Sequence, residues 1–265
     1  MSVTLGGNII VTGANRGIGL ELIRQLVEHA EEIHIFACCR EPEGARAKAL
    51  GELADQHSEQ ITIVKLDTTD EASILAAVQK IGERVNAHGL NLLINNAGIN
   101  KPDSPAPLSL TNKTEMMEVY ETNVVGPFLL AKMLLPYLQR AAEGNSTPEV
   151  KGGRMSCRRS AIINISSLVG SIEKCPENFP RAQMYAYRLS KAALNMLTRC
   201  LAEDFKKYNV LVTAIHPGWV QTEMGGNEAP LPKQESVQGM LQVMSWLSNK
   251  DSGTLLDWQG NSIPW

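Results

Sequence analysis

The chain of 265 residues predicts one doubly wound α/β domain, about seven parallel strands with helices on both faces. Short apolar runs alternate with longer amphipathic segments along most of its length, which is the pattern of successive βαβ units. No fixed-period repeat is visible and no linker divides residues 1–265, so a single domain is expected. The 43% hydrophobic and 20% charged residues lie near the globular average and supply a full core.

The elements follow in order. Residues 8–12 form an apolar run that leads through a glycine-rich loop into a helix over 17–30. Strands are expected at 33–38, 61–66 and 91–95, separated by amphipathic helices at 43–57 and 70–87, the second opened by Asp70 as an N-cap. A long helix over 112–143 precedes a strand at 161–165, and a second over 181–208 precedes a strand at 210–215. A helix at 233–248 and a weaker strand at 255–258 complete the pattern. Three stretches read as excursions from the sheet: 101–110, 144–159 and 170–180. The middle one carries Lys151, Arg154, Arg158 and Arg159, a cluster that reads as a solvated loop or as a dock for an acidic group.

Composition removes several classes of function. The balance of 25 basic against 28 acidic residues argues against a nucleic-acid binder. The longest apolar stretch, 123–138, is broken by Gly126, Pro127, Lys132 and Pro136, so no membrane span is expected. Five cysteines, two of them adjacent (Cys38, Cys39), form no C-x-x-C pair, and five histidines show no ligand spacing. Neither a disulfide framework nor a metal site is predicted. With no targeting signal legible, the expected address is cytoplasmic.

The chemistry begins in Thr12-Gly13-Ala14-Asn15-Arg16-Gly17-Ile18-Gly19, between the first strand and the first helix. Gly13 can adopt the positive φ of a tight strand exit, Gly17 lets backbone approach a pyrophosphate, and Gly19 lets the helix press onto the sheet. The helix N-terminus offers free N–H groups and a positive dipole end to phosphate. These are the features of a dinucleotide-binding Rossmann domain. Such a domain selecting NAD places a carboxylate at the end of the second strand, on the ribose 2′-hydroxyl. Here that place reads Cys38-Cys39-Arg40, so Arg40 and Arg16 are expected to pair with the 2′-phosphate of NADPH, where guanidinium geometry is favourable. Glu41 is the competing feature, either turned to a ribose or serving as a first-turn acid before Pro42.

Tyr187 and Lys191 stand four residues apart in a helical segment and project from one face. An ammonium there is expected to stabilise the phenolate and bring its pKa down from about 10. Tyr185 has Leu189 at the same spacing and is rejected as the acid. Ser167 supplies a hydroxyl at the carboxyl edge of the fifth strand, where open parallel sheets bind ligands. Ser166 adjoins it, and by strand alternation the two face opposite ways. Asn123 is a poor helix former within an apolar stretch of the long helix, and reads as a functional amide or as one satisfying nearby backbone.

Taken in order, the glycine loop, Asn95-Asn96-Ala97-Gly98, Ser167, Tyr187-Arg188-Leu189-Ser190-Lys191 and Pro217-Gly218 resemble the short-chain dehydrogenase/reductase family over nearly the whole chain. The strings Met184-Tyr185-Ala186-Tyr187-Arg188 and His216-Pro217-Gly218-Trp219-Val220-Gln221-Thr222-Glu223-Met224 are similar to sniffer-like carbonyl reductases and to C-factor proteins, although Glu223 stands where Asp is expected. The resemblance implies a catalytic tetrad of Asn123, Ser167, Tyr187 and Lys191, with Asn123 holding a water that links Lys191 to solvent. It implies cofactor contacts at Gly13, Asn15, Arg16, Gly17, Ile18, Gly19 and Arg40. Further contacts are implied at Asp67, Thr68, Asn95, Ala97, Gly98, Tyr187, Lys191, Pro217, Gly218, Val220 and Thr222.

The implied activity is NADPH-dependent reduction of aldehydes, ketones or quinones, with Tyr187 as proton donor. An alcohol or steroid dehydrogenase using the same machinery, and a non-catalytic NADPH-binding regulator, are the alternatives. Phe179, Trp219 and Met224 read either as an apolar substrate pocket or as core. The resemblance also implies a homodimer through the two long helices.

Overall fold

The computed structural model describes residues 5–29, 32–101, 106–144 and 155–265. Its strands are β1 (Gly7–Thr12), β2 (Ile33–Cys39), β3 (Ile61–Lys65), β4 (Leu92–Asn95), β5 (Ala161–Ile165), β6 (Leu211–His216) and β7 (Leu255–Asp257). Its helices are α1 (Gly17–His29), α2 (Lys48–Gln56), α3 (Glu71–Val85), α4 (Lys113–Tyr120), α5 (Gly126–Gly144), α6 (Cys175–Asn178), α7 (Tyr185–Phe205) and α8 (Lys233–Trp246). All strands pair in parallel in one sheet of order β3-β2-β1-β4-β5-β6-β7.

Strand alternation divides the core in two. Ile9 and Val11 of β1 and Ile35 and Ala37 of β2 face α1, α2 and α8, where Leu22, Ile23, Leu50 and Met240 are buried. Ile10 and Phe36 face the other way, onto Ile74 and Ile81 of α3, Leu134 of α5 and Phe205 of α7. Both faces are covered, which is why the strands read as continuous apolar runs and not as alternating ones. Each such Ile or Leu, fully buried, contributes about 1.5–3 kcal/mol relative to exposure.

Three expected helices differ in detail. The one placed at 112–143 is interrupted by a π-helical turn at Glu121–Val125, which holds Asn123. The one placed at 43–57 opens with a 3-10 turn at Ala45–Ala47 before α2. The one placed at 181–208 starts only at Tyr185, because the carbonyls of Ala182 and Gln183 accept hydrogen bonds from the Arg188 guanidinium and Met184 is left-handed (φ 33°). Asp70 caps α3 as expected, its side chain accepting from Ala72 N–H at 3.0 Å.

Of the basic cluster, Lys151 and Arg154 lie outside the described residues. Arg158 and Arg159 brace the fold. Their carbonyls accept from Asn91 Nδ2 at 2.9 and 3.1 Å, and Arg159 Nη2 donates to Ala142 O at 2.8 Å.

Candidate functional site

The chain reverses its winding between β1 and β4, neighbours in the sheet, so a crevice opens beyond their carboxyl ends. Gly13 (φ +64°) turns the chain out of β1 and Gly17 (φ +56°) turns it into α1. A Cβ on Gly19 would lie 2.1 Å from Gly13 O and 2.7 Å from Asn96 Nδ2, so only glycine permits this approach of helix to strand. Thr12 Oγ1 accepts from the N–H groups of Asn96 and Ala97, each at 3.0 Å, and Asn96 Nδ2 donates to Thr12 O at 2.9 Å. These bonds hold the two loops of the crevice together. They leave a backbone cradle at the N-terminus of α1 that fits a pyrophosphate.

Asn95 lies buried inside the sheet, where its Nδ2 donates to Asn164 Oδ1 of β5 at 2.8 Å. Asp67 accepts from Thr69 N–H and Oγ1 at 3.0 and 2.8 Å, shaping the loop after β3. Thr68 is clamped by α5, since a Cβ on Gly126 would lie 2.7 Å from Thr68 O.

The four residues expected to do the chemistry lie just after β5, on α7 and in the π turn. Ser167 lies close enough to the Tyr187 phenol to lower its pKa, and its Oγ accepts from Val169 N–H at 3.4 Å. Ser166 points elsewhere, donating to Asn195 Oδ1 at 2.6 Å. Lys191 Nζ is buried, donates to Ile165 O at 2.8 Å and stands 5.4 Å from the Tyr187 ring centroid. Gly98 brings the crevice to this cluster, as a Cβ there would lie 3.2 Å from Asn123 Oδ1 and 3.8 Å from Lys191 Nζ.

The Asn123 amide makes three hydrogen bonds. Oδ1 accepts from Ile99 N–H at 2.9 Å, while Nδ2 donates to Ile99 O at 2.9 Å and to Ser190 Oγ at 3.0 Å. The side chain thus satisfies the backbone of Ile99. The π turn that carries Asn123 is a local helix defect of a kind common at functional sites.

The Tyr187 phenol does not behave as spacing alone suggests. Burial pushes it up to about 12, and the Ser167 hydroxyl pulls it part of the way back. Lys191 is pushed down to about 8 by the same burial. The physical reason is desolvation of each group, with the ammonium turned onto the Ile165 carbonyl.

The loop after β6 is held over the glycine loop. Gly218 (φ +88°) turns it, and Pro217 O accepts from Ser236 Oγ at 2.6 Å. Val220 bridges to Leu231, and Thr222 lies against Gly17, 3.6 Å from where a Cβ would be. Glu223 forms ion pairs with Arg16 and, at 3.5 Å, with Arg46. Arg40 is exposed at the end of β2. The Glu41 carboxylate lies over Gly44, 3.2 Å from where its Cβ would be, which matches its reading as a local turn acid.

Of the expected substrate wall, Trp219 and Met224 are 55% and 47% exposed, so neither is core. Trp219 Nε1 donates to Gly225 O at 2.8 Å. Phe179 is half-buried, edge-on to Tyr185 at 5.6 Å with the Arg188 guanidinium 5.4 Å over its ring. Sequence reasoning missed Arg188 as a residue with a task. Its Nε and Nη2 donate to Ala182 O at 2.9 and 2.6 Å and its Nη1 to Val169 O at 3.3 Å, tying the segment after β5 to α7. An arginine directly after Tyr187 in the same helical segment was the available signal, and it is buried in the fold. A depression of about 400 Å³ lined by Gln221, Thr222, Glu223, Gly226 and Asn227 contains none of the four chemistry-bearing residues.

Residues 7–231 match the family model described as short chain dehydrogenase. The carbonyl reductase from chicken fatty liver, solved with NADPH bound, is 44% identical and superposes with a TM-score of 0.90, covering 98% of this chain and 100% of that one. The carbonyl reductase Sniffer of D. melanogaster is 36% identical with a TM-score of 0.89, over 98% and 100% of the two chains. The C-signal protein of Myxococcus xanthus is 35% identical over 66% of this chain and 93% of its own. Among the described residues, no helix is long and apolar enough to cross a membrane.

Proposed function

The chain belongs to the short-chain dehydrogenase family of oxidoreductases acting on C=O and CH–OH groups, and from that premise we propose that it is an NADPH-dependent carbonyl reductase in which Tyr187 protonates the substrate oxygen. One observation carries this reading: Lys191 Nζ stands 5.4 Å from the Tyr187 ring, with Ser167 close enough to the phenol to lower its pKa, next to Gly98 at the mouth of a glycine-lined crevice.

The residues present fit the cofactor. Gly13, Gly17 and Gly19 form a cradle that a side chain would fill, and Asn15, Arg16 and Ile18 lie within it. Arg40 and Arg16 would hold the 2′-phosphate, with Asp67 and Thr68 near the adenine, Ala97 and Gly98 along the ribose, and Pro217, Gly218, Val220 and Thr222 at the nicotinamide. When bound, NADPH supplies the hydride.

The remaining chemistry belongs to the chain. Ser167 donates a hydrogen bond to the carbonyl oxygen and fixes it within reach of Tyr187. Tyr187 carries its proton at neutral pH, because burial holds its pKa near 12. It gives that proton to the far more basic alkoxide, the direction that favours reduction over oxidation. Lys191 then stabilises the phenolate left behind and also grips the nicotinamide ribose. Asn123, its side chain engaged by Ile99 and Ser190, positions the π turn next to Lys191.

Ketones, aldehydes and quinones with apolar substituents are the proposed substrates, received by Trp219, Met224 and Phe179. Exposed Phe128 on α5 and Leu189 and Met196 on α7 are the surface that a homodimer would use.

The test is Tyr187→Phe assayed for NADPH oxidation with a quinone and with an enal. Turnover should fall at least about 100-fold with NADPH affinity unchanged. Full activity in the variant removes Tyr187 as the donor.

A further inference from the structure

Glu223 reaches from the loop after β6 to two guanidiniums that arrive from separate parts of the chain. Arg16 lies in the glycine loop and Arg46 in the 3-10 turn that leads into α2, so the contacts span 207 and 177 residues of sequence. Helical periodicity or local turn chemistry does not produce such a meeting. It requires the β1–α1, β2–α2 and post-β6 loops to converge at one edge of the crevice.

Glu223 faces two guanidiniums, while the segment that leads from β2 to Arg46 carries Arg40, exposed at the end of β2, and the carboxylates Glu41 and Glu43. Two guanidiniums converging on one carboxylate at a crevice that fits a dinucleotide can receive an anion in its place. We propose that Glu223 is an internal placeholder for the 2′-phosphate. It occupies Arg16 and Arg46 until a 2′-phosphorylated nucleotide displaces it, and Arg46 is a further residue of the 2′-phosphate subsite. The inference rests on the NADPH reading above and adds a specificity device to it.

The exchange is energetically accessible. The side chains of Glu223, Arg16 and Arg46 are 61%, 43% and 68% exposed, so water screens both ion pairs and makes each one weak. A phosphate brings about two negative charges and three acceptor oxygens and can engage both guanidiniums bidentately. The ribose hydroxyl of NADH brings no charge and leaves Glu223 in place. Glu223 therefore weakens binding of the phosphorylated cofactor modestly, and its release frees Thr222 and its neighbours on the same loop when the correct nucleotide has arrived.

The experiment is a calorimetric titration of wild type, Glu223→Gln and Arg46→Ala with 2′,5′-ADP and with 5′-AMP, neither of which carries a nicotinamide. Glu223→Gln should bind 2′,5′-ADP about three- to fivefold more tightly and 5′-AMP as wild type does. Arg46→Ala should lose about tenfold for 2′,5′-ADP alone. Weaker binding of both nucleotides by Glu223→Gln would make Glu223 a clasp over the cofactor and overturn the proposal, as would an unchanged 2′,5′-ADP affinity in Arg46→Ala. Wild-type protein that fails to distinguish the two nucleotides sinks the NADPH reading together with this one. Wild type that discriminates, with both variants unchanged, sinks the placeholder alone.

Discussion

Lys191 Nζ donates to the carbonyl oxygen of Ile165 at 2.8 Å, at the carboxyl end of β5 and two residues before Ser167. The ammonium that should serve Tyr187 on α7 is thereby anchored to the strand that supplies the serine. Helix and strand are fixed in register by a charged group, and this anchoring, with burial, sets the titration of the site.

Activity should fall as pH rises through about 8. The cofactor-free Lys191 has its pKa lowered to about 8 by burial, and only its protonated form stabilises a phenolate at Tyr187. A profile of kcat/KM against pH, which reports the free enzyme, should therefore lose activity on the alkaline side of that value. A flat profile up to about pH 10 would remove Lys191 from this role.

Arg188→Ala should raise the KM for the carbonyl substrate several-fold while leaving NADPH affinity unchanged. The substitution strands the carbonyls of Ala182 and Gln183, at a stability cost of about 1–3 kcal/mol, and frees the segment that carries Phe179. Arg188→Lys should recover part of the loss. Thermal melts and steady-state kinetics separate the two effects, and an unchanged KM would make Arg188 structural only.

Gly19→Ala should abolish cofactor binding or folding. The new Cβ would fall 2.1 Å from Gly13 O, a backbone atom that cannot swing aside as a side chain can. Nucleotide titration of whatever soluble protein results is the measurement, and wild-type affinity contradicts the expectation.

Stability should decline as pH falls from about 6.5 to about 4. Burial lowers the His216 pKa to about 4, so across that window the unfolded chain takes up a proton that the folded one refuses. The contribution is fully present above about 6.5 and amounts to about 3 kcal/mol once lost. Denaturant midpoints of wild type and His216→Gln across this range should converge toward acid.

Much of the architecture was legible because it is written in one-dimensional periodicity. The strands fell within a residue or two of their expected positions, since a strand buried on both faces must be continuously apolar, and Ile9, Ile10 and Val11 are. The glycine loop was readable for a related reason. Gly13 and Gly17 occupy backbone conformations that other residues rarely adopt. Asn123 announced a disturbance in its helix, yet not that the disturbance would be a π turn, because Ile99 and Ser190, which hold its amide, are remote in sequence.

Residue types in order thus specified the sheet, the crevice, and which hydroxyl, phenol and amine belong together. Three-dimensional packing alone set their charges and partners: Lys191 lowered and Tyr187 raised by exclusion of water, Arg188 turned back onto Ala182, and Arg16 and Arg46 brought to Glu223. Local sequence encodes which conformations a segment can adopt, whereas desolvation and long-range ion pairs depend on atoms that only folding brings together.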